Sequence, residues 1–146
     1  MNEAAITEYI TDTFDGVDLV VASGDTFFFY NPVSELPPDH MFPFVTLVTS
    51  DINDQFSDLN RPSVFRLNIG VSKQTYRSLF GAGGGDDSAY DFTALDQLMP
   101  HPVYGRMYWV CVLNPSDARF QEAVRPLLAE AYDMAVGKFA RRAARR

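Results

Sequence analysis

The chain has 146 residues, of which 47% are hydrophobic and 14% aromatic, so one domain spanning 1–146 with a packed core is expected. No apolar run approaches the roughly eighteen residues of a membrane span, and the first residues lack the basic and apolar regions of a signal peptide. We therefore expect a cytoplasmic protein without a membrane span. The single cysteine, Cys111, excludes an internal disulfide and is predicted to be a small buried thiol.

The charge is unevenly distributed along the chain. The net charge is −7, yet the short basic tail 138–146 holds five of the twelve basic residues and no acid. The remaining seven basic and nineteen acidic residues give residues 1–137 a net charge of −12. Because so acidic a body repels a phosphate backbone, nucleic acid is not an expected partner, and weak binding through the arginine-rich tail is only an alternative. The tail is typical of a solvated helix end whose cations suit the helix dipole.

The first half of the chain predicts one helix and four strands. Apolar residues at the spacing of one helix face indicate a short helix that stops near Gly16. The turn Ser23-Gly24-Asp25 between two β-rich runs indicates a hairpin. Alternation in the last run puts Phe65, Leu67 and Ile69 on one face, with Arg66 and Asn68 on the other. The predicted strands are Val17–Ala22, Thr26–Tyr30, Phe42–Thr49 and Val64–Val71.

The second half predicts helices around one more strand. Ser72 is placed as the N-cap of a helix that ends at Phe80. The predicted elements that follow are a glycine-rich surface loop at 81–88, one or two helical turns at Asp91–Leu98, a central strand at Arg106–Leu113, and a C-terminal helix with Pro126 in its first turn. Trp109 is expected to be largely buried against that helix. The order predicts an α+β fold: a single antiparallel sheet of about five strands, with N-terminal, middle and C-terminal helices mainly on one face.

Several segments resemble a known family. They are the segment Val64–Phe80, the run Val103–Val112 with its tryptophan before apolar residues, and the last helix with Ala131-Tyr132. Together with the element order they resemble the MmcQ/YjbR-like family. Nearly all of residues 1–140 is most similar to uncharacterised actinobacterial proteins that share Phe65–Gly70 and Pro100–Tyr104. The resemblance implies a frataxin-like fold and a loose description as DNA-binding, from which the acidic body departs, and it implies no catalytic residue.

The sequence motifs favour neither a cofactor nor a metal. The glycine-rich segment at 81–85 follows a helix and has no P-loop lysine, so a phosphate loop is not expected. Acidic residues between Asp51 and Asp58 lack the glycine and glutamate of a calcium loop and are interpreted as solvated. The two histidines, His40 and His101, have no second ligand at metal spacing. His101 between two prolines fixes a loop by hydrogen bonds or, in the alternative, acts as a general base.

The polar residues of the fourth predicted strand raise the question of a site. Arg66 and Asn68 are expected on the uncovered face of the sheet, together with Thr46, Tyr30 and Tyr108. In one interpretation Arg66 pairs with one of the many acids and Asn68 holds a loop. In the other, the face is a shallow concavity with Arg66 as an anion anchor and aromatic walls. The candidate ligand-binding residues are Arg66, Asn68, Tyr30, Tyr108, His101 and Tyr104.

The sequence alone therefore predicts a non-catalytic module that binds a small molecule or a peptide. Its partner is an unknown small molecule or protein, and the expected oligomeric state is a monomer or weak homodimer. A small hydrolase or transferase that uses His101 with a nearby acid is the alternative from a different functional class.

Overall fold

The structure is a computed structural model that describes residues 1–33, 42–81 and 89–144. Residues 82–88 of the predicted loop at 81–88, His40 and the last two residues lie outside the described residues. The helices and strands, in chain order, are α1 (Glu3–Thr13), β1 (Val17–Ala22), β2 (Asp25–Tyr30), β3 (Val45–Val48), β4 (Arg66–Gly70), α2 (Lys73–Phe80), β5 (Met99–Pro100), β6 (Trp109–Leu113), α3 (Asp117–Arg119) and α4 (Arg125–Ala144).

The six strands form one antiparallel sheet in the order β1-β2-β3-β4-β6-β5. β4 is central, so that Asn68 pairs with Thr46 of β3 on one side and with Cys111 of β6 on the other. The predicted α+β fold is confirmed. The sheet has one strand more than the five expected, because Met99 and Pro100 pair with β6.

One side of the sheet, here called the helix-covered face, packs against α1, α2 and the C-terminal helix. Its residues come from alternate strand positions, as the period of two requires. The residues of this core that are at most 1% exposed are Ile6, Ile10, Phe28, Val45, Leu47, Leu67, Ile69, Val110, Val112, Phe120, Val124, Leu128 and Ala131. This core includes the predicted apolar faces of the first and last helices.

Side-chain caps start the helices on this face. Asn2 Oδ1 accepts a hydrogen bond from the Ala5 amide at 2.8 Å, which sets the start of α1. Ser72 Oγ accepts one from the Thr75 amide at 3.1 Å, so the predicted N-cap of α2 is confirmed. Glu130 of α4 accepts hydrogen bonds from both the Ser72 amide and the Thr75 hydroxyl. The start of α2 is therefore fastened to the C-terminal helix.

The C-terminal helix begins earlier than predicted. Ser116 caps α3, a π-helical turn at Phe120–Val124 follows, and α4 continues directly to Ala144. Pro126 lies in the first turn of α4, as expected, but inside a helical segment that already begins at Asp117. Since proline has no amide hydrogen and its ring crowds the preceding turn, the wider π turn directly before it accommodates the residue. The basic residues 138–144 form the last turns of α4, in agreement with the interpretation of the tail as a helix end.

The opposite side of the sheet, here called the loop-covered face, carries a smaller core. Two connections lie on it, residues 49–65 between β3 and β4 and the segment before β6. Its buried apolar residues are Val48, Leu59, Phe92, Met99, Cys111 and Leu113. The face that the sequence left uncovered is thus partly covered by loops, and Arg66 and Asn68 are beneath them.

Two predicted elements before and at β6 are wrong. Residues 91–98 form a turn and an isolated bridge from Leu95 to Leu113, because their backbone bonds go to the sheet instead of forming a helix. The strand begins at Trp109 instead of Arg106, since Gly105–Met107 is a 3₁₀ turn and Tyr108 has a left-handed φ of 65°. Trp109 is only partly buried, and its indole lies over Gly70 on the loop-covered face instead of being packed fully against α4.

Candidate functional site

A buried polar cluster surrounds Arg66, whose side chain is 1% exposed. Its guanidinium donates from Nη1 to Asp54 Oδ1 at 3.0 Å and from Nη2 to Asp54 Oδ2 at 2.7 Å, a bidentate ion pair. Nη1 also donates to Ser57 Oγ at 3.0 Å, and Nε donates to Asn68 Oδ1 at 3.0 Å. These residues, with His101 and Thr46, are called the Arg66 network below.

The Arg66 network continues across the sheet. Asn68 Nδ2 donates to Thr46 Oγ1 at 3.0 Å, so the amide group is bonded at both its oxygen and its nitrogen. Thr46 and Asn68 are directly paired on neighbouring strands and share the loop-covered face. The expected placement of Thr46 beside Arg66 and Asn68 is confirmed.

The connection that supplies Asp54 is held by its own polar groups. Asp25, 2% exposed, accepts hydrogen bonds from the Thr49 amide and from Asn53 Nδ2, both at 2.9 Å. Asp51 Oδ1 accepts one from the Leu59 amide at 2.8 Å. The interpretation of these acidic residues as solvated is therefore wrong for Asp54, whose side chain is only 8% exposed. Burial alone raises the pKa of Asp54, but hydrogen bonds from Arg66 and its positive charge outweigh burial and hold that pKa below its usual value.

His101 lies at the end of β5 and is 4% exposed. Its Nδ1 accepts hydrogen bonds from the amides of Val103 and Tyr104, both at 3.0 Å. Its Nε2 lies 3.4 Å from Arg66 Nη2. Burial, together with the positive charge of Arg66, lowers the pKa of His101 to about 3, although the carboxylate of Asp54 opposes this shift. The imidazole is therefore neutral near pH 7, and it does fix a loop by hydrogen bonds, as the first interpretation expected.

A pocket of about 470 Å³ opens over this cluster and is called the sheet-face pocket. Its floor is the Arg66 network apart from Ser57, and its walls are mainly apolar and aromatic. The wall residues are Phe27, Phe42, Pro43, Val48, Tyr104, Met107 and Trp109. Tyr104 and Met107 are more than half exposed and form its rim. An apolar cavity with a few convergent polar groups is the usual form of a small-molecule site.

The structure brings together four of the six residues predicted for a site. Arg66, Asn68, His101 and Tyr104 all line the sheet-face pocket. Arg66 is the buried, ion-paired residue of the first interpretation, and its charge is already matched by Asp54.

Tyr30 and Tyr108 were placed on the wrong face. The ring of Tyr30 packs edge-on against Tyr132 and Phe139 of α4, at 5.5 Å and 5.4 Å between centroids. Tyr108, outside the strand, packs against Tyr76 of α2 and the core of the helix-covered face. Tyr30 is two residues from Phe28 and therefore lies on the same face of the sheet. The pairing register that shows this could not be read from the sequence.

The pocket residues that sequence reasoning missed come mostly from loops. Asn53 and Asp54 lie in a polar connection whose composition indicates only turns, and nothing in it singles out the acid that pairs with Arg66. Phe27 is one residue from Phe28, and alternation alone places it on the loop-covered face once the core side is known.

A second pocket, of about 370 Å³, lies beside the first, under α4. It contains Tyr30, together with Lys138 and Arg142 of α4. Four residues line both pockets and form a shared wall between them: Phe42, Pro43, Met107 and Trp109.

Neither a metal cluster nor a membrane helix is found in the part of the chain that the structure describes. Within those residues no three histidine, cysteine or acidic side chains are grouped as metal ligands would be. Nor does any described helix have the length and apolar character needed to cross a bilayer.

Comparison with curated proteins and with solved structures gave no match. A family model does match, over residues 1–144, and it is not that of the MmcQ/YjbR-like family. The resemblance to that family and to its actinobacterial relatives is therefore wrong, and the frataxin-like fold and DNA-binding description that it implied lose their support. The chain belongs to DUF6194, a family of unknown function.

Proposed function

We propose that this protein binds a small, mainly apolar molecule in the sheet-face pocket. The observation that carries the proposal is the pocket itself: about 470 Å³ of space with aromatic walls that converge on a buried and mutually bonded polar floor. Apolar walls supply binding energy through the hydrophobic effect, and fixed polar groups supply orientation. A polar floor held from several strands and loops keeps its geometry before a ligand arrives, which lowers the cost of binding.

The charges of the pocket favour a neutral ligand. Arg66 and Asp54 form a bidentate pair at 2.7 Å and 3.0 Å, so their charges largely cancel. Among the described residues, the only other titratable groups lining the pocket are His101, which is neutral near pH 7, and the phenol of Tyr104. The earlier interpretation of Arg66 as an anion anchor therefore has little support, because an incoming anion would meet a cation that is already paired.

The same geometry argues against the enzymatic alternative. A general base needs a free lone pair, and Nδ1 of His101 is occupied by two amide donors. Cys111 is fully buried, and burial raises the pKa of its thiol to about 12, so it supplies no thiolate nucleophile.

The setting of this activity is part of the proposal. We place the protein in the cytoplasm, where the buried thiol of Cys111 stays reduced. We propose that it acts as a monomer or weak homodimer, and that nucleic acid is not its partner because the body outside the basic end of α4 is strongly acidic.

The test is a thermal-shift screen of a metabolite library, followed by fluorescence titration of the hits. A ligand that binds only the folded state adds about 2.7 kcal/mol of stability at one hundred times its Kd. Trp109 is the only tryptophan and lines the pocket, so its emission reports occupancy directly. We expect a neutral, largely apolar compound to raise Tm and to change Trp109 emission.

Two matched variants locate the binding. Tyr104→Glu puts a carboxylate at the rim of the sheet-face pocket, whereas Val103→Glu changes the adjacent residue, which does not line it. We expect the first variant to lose the Tm shift and the second to keep it. A library without any stabilising compound, or hits retained equally by both variants, would overturn the proposal.

A further inference from the structure

The hydrogen bonds of His101 fix the position of its proton. Both amides that contact Nδ1 are donors, at 3.0 Å each, so Nδ1 must present its lone pair. A neutral imidazole carries one proton, which therefore lies on Nε2. Among the described residues, no oxygen acceptor lies within hydrogen-bond distance of Nε2, whose polar neighbour is Arg66 Nη2 at 3.4 Å. A buried donor is thus left without a protein acceptor.

Arg66 presents a second donor at the same place. A guanidinium has five N–H groups, and four of them are taken by Asn68, Ser57 and the two oxygens of Asp54. The remaining N–H belongs to Nη2, the atom that faces His101 Nε2. Because a guanidinium cannot accept, the 3.4 Å contact joins two donors and is not a hydrogen bond.

We propose that a neutral oxygen acceptor of the ligand, such as a carbonyl oxygen, accepts hydrogen bonds from both Arg66 Nη2 and His101 Nε2. Two N–H donors a little over 3 Å apart can both reach one oxygen at ordinary hydrogen-bond length. Leaving buried donors unpaired is costly, so a ligand that satisfies both gains more than one that fills only the apolar space. This inference rests on the proposed function and adds the chemical class of the ligand: an apolar body with one neutral carbonyl or amide group.

The neutrality of that oxygen follows from Asp54. Its Oδ2 is 2.7 Å from the same Nη2 atom, so an anionic oxygen bound there would lie close to a carboxylate. Like charges at such separations repel strongly when they are withdrawn from water. A carbonyl oxygen accepts the same two hydrogen bonds without that repulsion.

The first test is the protonation of His101 itself, measured in the full chain by long-range ¹H–¹⁵N NMR of the imidazole ring. We expect the spectrum of a neutral ring protonated at Nε2 at pH 7. A ring protonated at Nδ1 would overturn the inference, because Nε2 would then accept from Arg66 and the unpaired donors would not exist.

The second test compares benzamide and benzoate, two probes of nearly equal size that differ in charge. We expect benzamide to shift the His101 Nε2 resonance and the Trp109 emission saturably, and benzoate to bind about tenfold more weakly or worse. Equal or tighter binding of benzoate, or no saturable shift of Nε2 with benzamide, would overturn the inference. The proposed function survives either result if a library compound is bound by the wild type and lost in Tyr104→Glu.

His101→Phe provides a further readout, since it keeps a ring but removes the donor. We expect the preference for benzamide over benzoate to shrink about tenfold in this variant, provided that its NMR spectrum remains that of a folded chain. An unchanged preference in a folded His101→Phe protein would also overturn the inference. Should the variant not fold, the two measurements on the wild type decide the matter alone.

Discussion

The two faces of the sheet are stabilised by different physical means. The helix-covered face is a single apolar core in which residues such as Leu67 and Leu128 are fully buried. On the loop-covered face, the first position of β4 is occupied by Arg66, which is equally buried but is bonded to Asp54, Ser57 and Asn68. One strand therefore separates a core that excludes polar groups from one that is built around them.

The difference shows that one face mainly stabilises the fold and the other mainly shapes the pocket. Apolar packing on the helix-covered face is dense and unspecific in direction, and it stabilises the fold regardless of any ligand. A buried ion pair contributes less net stability than its contacts suggest, because desolvation offsets most of the attraction. What the pair on the loop-covered face does supply is a fixed geometry beneath a pocket.

The largest expected effect comes from breaking the ion pair on one side. Asp54→Asn leaves the guanidinium of Arg66 buried without a counter-ion, and we expect the free energy of unfolding to fall by about 3–5 kcal/mol. Urea denaturation followed by Trp109 fluorescence measures this change.

Two controls sharpen that measurement. Asp12→Asn, the same change at an exposed position of α1, should alter stability by no more than about 0.5 kcal/mol. Replacing both partners, as in Arg66→Met with Asp54→Leu, should recover most of the loss, because no unpaired charge remains. If Asp54→Asn costs no more than Asp12→Asn, the ion pair does not hold the loop-covered face together.

The corresponding change on the helix-covered face is Leu128→Ala. Leu128 is 0% exposed, and we expect truncation to lower the free energy of unfolding by about 2–5 kcal/mol through lost burial and the cavity left behind. Leu79→Ala, at a position of α2 that is 40% exposed, is the control and should cost clearly less. Leu128→Ala should leave the Trp109 emission of the folded protein unchanged, and a changed emission would show that the two faces are not independent.

Acid should weaken the two faces unequally. His101 has a pKa of about 3 in the folded state against 6.5 as its ordinary value, so between those values the unfolded chain binds the extra proton. Stability is therefore lost as pH falls from about 6.5 towards about 3, with a slope of up to about 1.4 kcal/mol per pH unit from this group. Below pH 3.8, protonation of Asp54 in the unfolded chain adds to the loss, because its folded pKa is lowered.

The measurement for this prediction is urea denaturation between pH 4 and pH 7 for the wild type and His101→Gln. We expect a flatter dependence in the variant, since it lacks the titrating group. Identical slopes in the two proteins would show that the His101 pKa is not lowered by its surroundings.

The smallest effect is expected at a helix cap on the helix-covered face. Ser72→Ala removes the acceptor for the Thr75 amide and should cost about 1 kcal/mol. Ser78→Ala, at an exposed position later in the same helix, is the matched control and should change stability by less than about 0.5 kcal/mol. A loss no greater than that of the control would mean that Glu130 of α4, and not the cap, sets the start of α2.

The sequence was sufficient for features that depend on neighbouring residues. Alternation around Leu67 predicted β4, the hydroxyl of Ser72 predicted the start of α2, and apolar spacing predicted the first and last helices. The helix expected at 91–98 was wrong because spacing cannot reveal that Leu95 bonds to β6 instead. There the tertiary hydrogen bonds to β6 are more favourable than the helix that the local pattern indicates.

The candidate site was only half predictable for the same reason. Alternation placed Arg66 and Asn68 on one face, but which of nineteen acids reaches Arg66 depends on how residues 49–65 fold over the sheet. The misplaced Tyr30 shows how strongly the outcome depends on register, since a shift of one position moves a side chain through the sheet.

Gly70 determines how the wall shared by the two pockets is packed. Without a side chain at this position, the indole of Trp109 lies directly on the strand, and an added Cβ would be 3.2 Å from its Cε2 and Cζ2 atoms. Trp109 lines both pockets. A side chain at position 70 would have to shift the indole by a few tenths of an ångström, so Gly70 sets the position of the wall that the two pockets share.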